Sequence, residues 1–113
     1  MRFKLLYLQE KLYEKNVKDL KSLISGVAEK EIPTETKVDK GIVFSLSLGG
    51  WANFKNQLTQ TLLDQKWKDY SKDANTLNFK NNNLSLFVEY ANNMATFFLT
   101  DDLNYIPNEE AEQ

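Results

Sequence analysis

From Leu5 to Val27 the apolar residues Leu5, Leu6, Leu12, Tyr13, Val17, Leu20, Leu23, Ile24 and Val27 share one helical arc, about 140° wide at 100° per residue. The pattern predicts a long amphipathic helix with Lys4, Lys11, Lys15 and Lys18 on its opposite side. Gly26 falls where a left-handed C-terminal cap is expected. Gln9 and Asn16 interrupt the arc seven residues apart, either as register-setting polar residues of a helix pair or at a core edge that reaches water. A competing reading makes residues 2–8 a strand and starts the helix at Asn16, with Asp19 completing the cap. The unbroken arc favours the long helix.

Residues 28–40, with Pro33 among charged residues and threonines, read as a connection. Strict alternation follows: Ile42, Phe44, Leu46 and Leu48 face one way, and Val43, Ser45 and Ser47 the other. That is the signature of a half-buried strand. Gly49 and Gly50 break it, after which Trp51, Phe54, Leu58 and Leu62 recur at helical spacing and predict a second helix ending near Gln65.

The last third reads as a three-stranded antiparallel meander. With Asn92 and Asn93 as a two-residue turn, Tyr90 pairs with Ala95, Val88 with Phe97 and Leu86 with Leu99. With Asn81 and Asn82 as another, Phe79 pairs with Leu84 and Leu77 with Leu86. Both turns place Leu77, Phe79, Leu84, Leu86, Val88, Tyr90, Phe97 and Leu99 on one face, and a slip of one residue would break that agreement. The opposite face collects Thr76, Asn78, Ser85, Phe87, Glu89, Thr96, Phe98 and Thr100. The expected fold is a two-layer α+β domain over residues 1–100. It has a four-stranded, mostly antiparallel sheet, with both helices packed on one face and an acidic tail over 101–113.

The length of 113 residues suits one core. The chain has no cysteine and no histidine, which removes thiolate and imidazole metal ligands, disulfides and the commonest nucleophile and base pairs. Leu5 to Leu8 is too short an apolar run for a signal-peptide core or a membrane span, and a cytoplasmic location is expected. Residues 1–80 hold 14 basic and 10 acidic residues, a balance of +4, whereas residues 81–113 hold six acidic residues and no basic one, a balance of −6.

Candidate chemistry is sparse. A strand, Gly49, Gly50 and a helix start resemble a phosphate-binding turn without the other glycines or the lysine of a nucleotide fingerprint. Asp101 with Asp102, and Glu109 with Glu110, offer oxygens to a divalent cation but lack the spacing of a calcium loop. Asp69, Asp73 and Asn75 suit a helix-to-strand connection. No carboxylate pair is placed for acid/base work, and no enzyme activity, cofactor or metal is expected.

Phe87 and Phe98 are the exception to a wet sheet face, because the register sets them opposite each other as an aromatic pair. They are the expected anchors of a partner-binding surface, with Glu89 beside them and Asp101, Asp102, Glu109 and Glu110 steering association. The expected function is a small non-enzymatic inhibitor or regulator that blocks a protein partner sterically, of the immunity-protein, antitoxin or phage anti-defence kind. Its partner would be a basic or nucleic-acid-processing protein. The alternative is a single-stranded nucleic-acid module that stacks bases on the two rings, with Asn78, Lys80 and Ser85 as polar contacts. Arg2 as the sole arginine and the acidic second half weigh against it. Coverage of the rings by Tyr105 and Ile106, or by a homodimer through the sheet face, would close the patch to either.

Overall fold

The computed structural model describes residues 2–106, with side chains from residue 10 onward. Its elements run α1 (Arg2–Ala28), β1 (Thr36–Val38), β2 (Gly41–Ser47), α2 (Trp51–Asp64), β3 (Lys68–Asp69), β4 (Thr76–Lys80), β5 (Ser85–Ala91) and β6 (Met94–Thr100). The long reading of α1 holds. Its core contacts come from Val17, Leu20 and Ile24, with Tyr13, Leu23 and Val27 packed beside them. Leu12, in the same arc, is 48% exposed, so the apolar stripe outruns the core at that end. The side chains of Leu5, Leu6 and Gln9 lie outside the described residues, and Asn16 is half-buried with its Nδ2 unpartnered.

Gly26 does not cap α1. Val27 and Ala28 still pack against the core, and that burial carries the helix past the glycine. The left-handed residue is Glu29, at φ 55°. The Lys30 amide reaches back to the Ser25 carbonyl at 3.3 Å, closing the helix in a Schellman arrangement. α2 ends the same way, with Lys66 at φ 72°. There the Lys66 and Trp67 amides donate to Leu63 and Leu62, each at 3.0 Å.

The sheet has six strands in the order β1-β2-β6-β5-β4-β3, every neighbouring pair antiparallel. This corrects the four-stranded expectation. β1 arises inside the segment read as a connection: Val38 pairs with Gly41 across Asp39 and Lys40. Its three residues are all exposed, so no alternation of burial announced it. β3 is two exposed residues paired with the end of β4. Both edges are short and carry a lysine, which discourages pairing with another sheet.

The Asn92–Asn93 turn forms as expected, with φ of 54° and 61°, and the predicted β5–β6 register is observed. The other turn differs. Asn81 accepts the Asn83 and Leu84 amides on its own Oδ1, which makes a four-residue loop. Phe79 therefore pairs with Leu86 and Leu77 with Val88. The shift is two residues, so every side chain keeps its predicted face.

The inner face carries Ile42, Phe44, Leu46, Leu77, Phe79, Leu86, Val88, Ala95, Phe97 and Leu99, all buried beneath α1 and α2. Phe97 stacks on Phe44 at 4.9 Å and meets Phe54 of α2 edge-on at 6.1 Å. No helix among the described residues is long and apolar enough to cross a membrane. Among the described residues no helix covers the outer face, and one row across it reads Thr36, Val43, Phe98, Phe87 and Asn78.

Candidate protein-binding face

Two central strands place the aromatic pair. β5 and β6 set Phe87 opposite Phe98 with ring centroids 6.2 Å apart. A third ring joins them, because residues 101–106 fold back over the outer face and bring Tyr105 to 5.9 Å from Phe87 and 5.1 Å from Phe98. All three rings are half-buried. The Lys40 ammonium sits 5.4 Å from the Tyr105 ring centre, a cation–π contact from the β1–β2 turn.

The returning segment is shaped by Asp102. Its Oδ1 accepts the Asn104 amide at 3.0 Å, its carbonyl accepts the Tyr105 amide at 3.1 Å, and its own amide donates to Thr100 Oγ1 at 3.0 Å. From β4, Lys80 Nζ donates to the Leu103 carbonyl at 2.8 Å. Ser85 and Thr100 lie on this face yet are fully buried, which corrects their assignment to a wet surface and marks how far the strap reaches. Beneath and beside it, Ser85 Oγ and Asn78 Oδ1 have no hydrogen-bond partner.

Phe87, Phe98 and Glu89 therefore share one face, with Glu89 exposed between Thr76 and Thr96. Asp101 sits elsewhere, on the rim of a groove beside α1. Asp102 shapes the strap, while Glu109 and Glu110 lie outside the described residues. Near the rings the described charges are mixed, because Lys40 and Lys80 offset Glu89 and Asp102. Tyr105 was legible as a possible cover, but the contributions of Lys40 and Lys80 to its seat depend on long-range contacts that no local pattern announces.

The groove was not anticipated. α1 and the β1–β2 hairpin bound an open space of about 1110 Å³, floored by Tyr13, Val17, Ile32 and Ile42 and bridged by a Lys21–Glu35 ion pair. Burial, with the Asp101 carboxylate adding to it, pushes the Tyr13 phenol above its ordinary range. The hydrogen bond from Lys21 holds the Glu35 carboxyl below the usual carboxylate range. The one available signal was Thr36 to Val38 flanking Asp39–Lys40–Gly41, a hairpin without the left-handed residues that usually mark a two-residue turn.

The remaining candidates serve packing and turns. Trp51 stacks on Tyr90 at 4.8 Å and donates through Nε1 to Ala74, while Lys55 donates to the Asp73 and Ala74 carbonyls. The first turn of α2, after Gly49 and Gly50, is thus tied to the loop before β4. Asp69 Oδ1 accepts the Ser71 amide, and Asp73 Oδ1 accepts from the Asn75 amide and the Thr76 hydroxyl. Among the described residues no three carboxylates gather as a metal site. No protein-family model matches the chain, and comparison with curated proteins and with solved structures likewise yields no match.

Proposed function

We propose that the chain is a non-enzymatic, cytoplasmic binding protein that inhibits or regulates a protein partner by covering part of its surface, in the manner of immunity proteins, antitoxins or phage-encoded inhibitors of host defence. The observation that carries this reading is the outer sheet face, free of helices among the described residues, where Phe87 and Phe98 of the central strands cluster with Tyr105. Aromatic residues seated centrally, with polar neighbours such as Thr96 and Glu89 around them, are the usual anatomy of a binding hot spot. Exposed Met94 and Val38 extend the apolar part of that face. Base stacking is the weaker use of the same rings, because the chain has a single arginine and its second half is acidic.

The test is an affinity capture of the tagged chain from its native lysate, with and without nuclease, alongside a Phe87→Ser/Phe98→Ser variant. A stoichiometric protein retained after nuclease and lost with the double variant, whose fold is checked by circular dichroism, is the expected result. Retention by the double variant moves the interface off this face. Loss of all bound material on nuclease treatment replaces a protein partner with a nucleic acid.

A further inference from the structure

We infer that residues 101–106 act as an internal stand-in for the partner, and that the face beneath them accepts a turn-forming peptide segment carrying an aromatic side chain. This deepens the protein-binding reading and rests on it. The strap displays the recognition chemistry directly. Lys80 takes a main-chain carbonyl, that of Leu103, and Phe87 with Phe98 take an aromatic ring two residues further on. The Tyr105 amide bonded to the Asp102 carbonyl makes this a tight turn, so a carbonyl and an aromatic ring at that spacing are what a turn of polypeptide offers.

The strap also fits its seat incompletely. Ser85 has no solvent exposure and lies between the Lys80 contact to Leu103 and the Asp102 contact to Thr100, yet its hydroxyl has no partner. The Asn78 side-chain carbonyl, in the same row as Phe87, is also unpartnered. Buried polar atoms left unpaired are costly. A segment that brings a donor to Asn78 and a hydrogen-bonding group to Ser85 would gain what the strap does not. Ile106 is 54% exposed and Asn104 is exposed, so the strap is anchored through Asp102, Leu103 and Tyr105 rather than along its length. As a tethered competitor it has an effective concentration on the order of millimolar, so it lowers the apparent affinity of any partner in proportion to its occupancy.

The experiment uses the full chain with Tyr105→Ala and a fluorescein-labelled hexapeptide of the sequence of residues 101–106, read by anisotropy. The variant should bind the peptide at least about tenfold more tightly than the parent chain, whose own Tyr105 competes. Lys80→Met in the variant, or alanine for tyrosine in the peptide, should abolish most of that binding. If Tyr105→Ala does not fold, excess peptide added to the parent chain should shift the Phe87 and Phe98 amide resonances while leaving those of α2 unchanged. Binding no tighter than to a scrambled peptide, preference for oligothymidylate, or dimerisation of the Tyr105→Ala chain in place of peptide binding each overturns the inference. A captured partner that is indifferent to Tyr105→Ala overturns the strap but leaves protein binding standing. Peptide binding with no captured partner does the reverse.

Discussion

Glu29 occupies a backbone conformation that suits glycine, while Gly26, three residues earlier, sits in a helix interior that suits almost any other residue. A left-handed non-glycine residue costs roughly 1–2 kcal/mol, and glycine inside a helix costs about 0.5–1 kcal/mol relative to alanine. A Cβ at Gly26 would meet nothing within 4 Å. Gly26→Ala and Glu29→Gly should therefore each raise unfolding stability by about 0.5–1 kcal/mol, measured by urea denaturation. The glycine was visible in the sequence, but the helix end was not, because Val27 and Ala28 decide it through tertiary burial. Glu35 supplies a second test at this scale. Its carboxyl is held below its ordinary range by Lys21, so the pair's contribution is complete above the unfolded-state value and vanishes as pH falls through the lowered native value. Both side chains are partly exposed, which limits the effect to about 0.5 kcal/mol. Glu35→Gln should cost that much at neutral pH and nothing in strong acid, where both forms are uncharged.

Among the elements, period-two burial was the most legible signal, and it survived an error in turn length. The Asn81 side chain lengthened its loop by two residues, an even number, so Leu77, Phe79 and Leu86 stayed inside. β1 and β3 were illegible because an edge strand with exposed side chains is defined by backbone pairing alone. Gly41 links these observations. It turns the chain from β1 into β2, and a Cβ there would lie 2.0 Å from the Leu99 carbonyl oxygen and 3.2 Å from the Phe98 ring. Neither atom sits at the end of a loose side chain, so Gly41→Ala must pry β2 from β6 or displace the ring. We expect a loss of about 3 kcal/mol or more, with disturbed Phe98 and Tyr105 resonances by NMR. An unchanged denaturation midpoint would mean that the two strands pass each other less closely than described.

Over the whole molecule, charge and architecture separate. The lysines ride on α1, the β1–β2 hairpin, α2, the peripheral strands and, for Lys30, Lys66 and Lys72, the connections between them, whereas the central strands β5 and β6 contribute only Glu89 among charged residues. The acidic excess of the second half was plain in the sequence, but its distribution was not. Asp101 turns to the α1 groove, Asp102 is spent on the strap, and Lys40 and Lys80 balance the ring cluster. On the proposed reading, steering of a basic partner would come chiefly from Glu109, Glu110 and Glu112, since a charge's field reaches about one Debye length, roughly 8 Å at physiological salt. Glu→Gln at those three positions should slow association several-fold and flatten its dependence on salt, while dissociation stays unchanged. Adding Asp101→Asn and Asp102→Asn should contribute little further, since asparagine can still accept the Asn104 amide and keep the strap's turn. Stopped-flow association with the captured partner separates these cases. Faster association of the neutralised chain would show that the target surface is negatively charged, as a nucleic acid is, and would reverse the sign of the electrostatic argument.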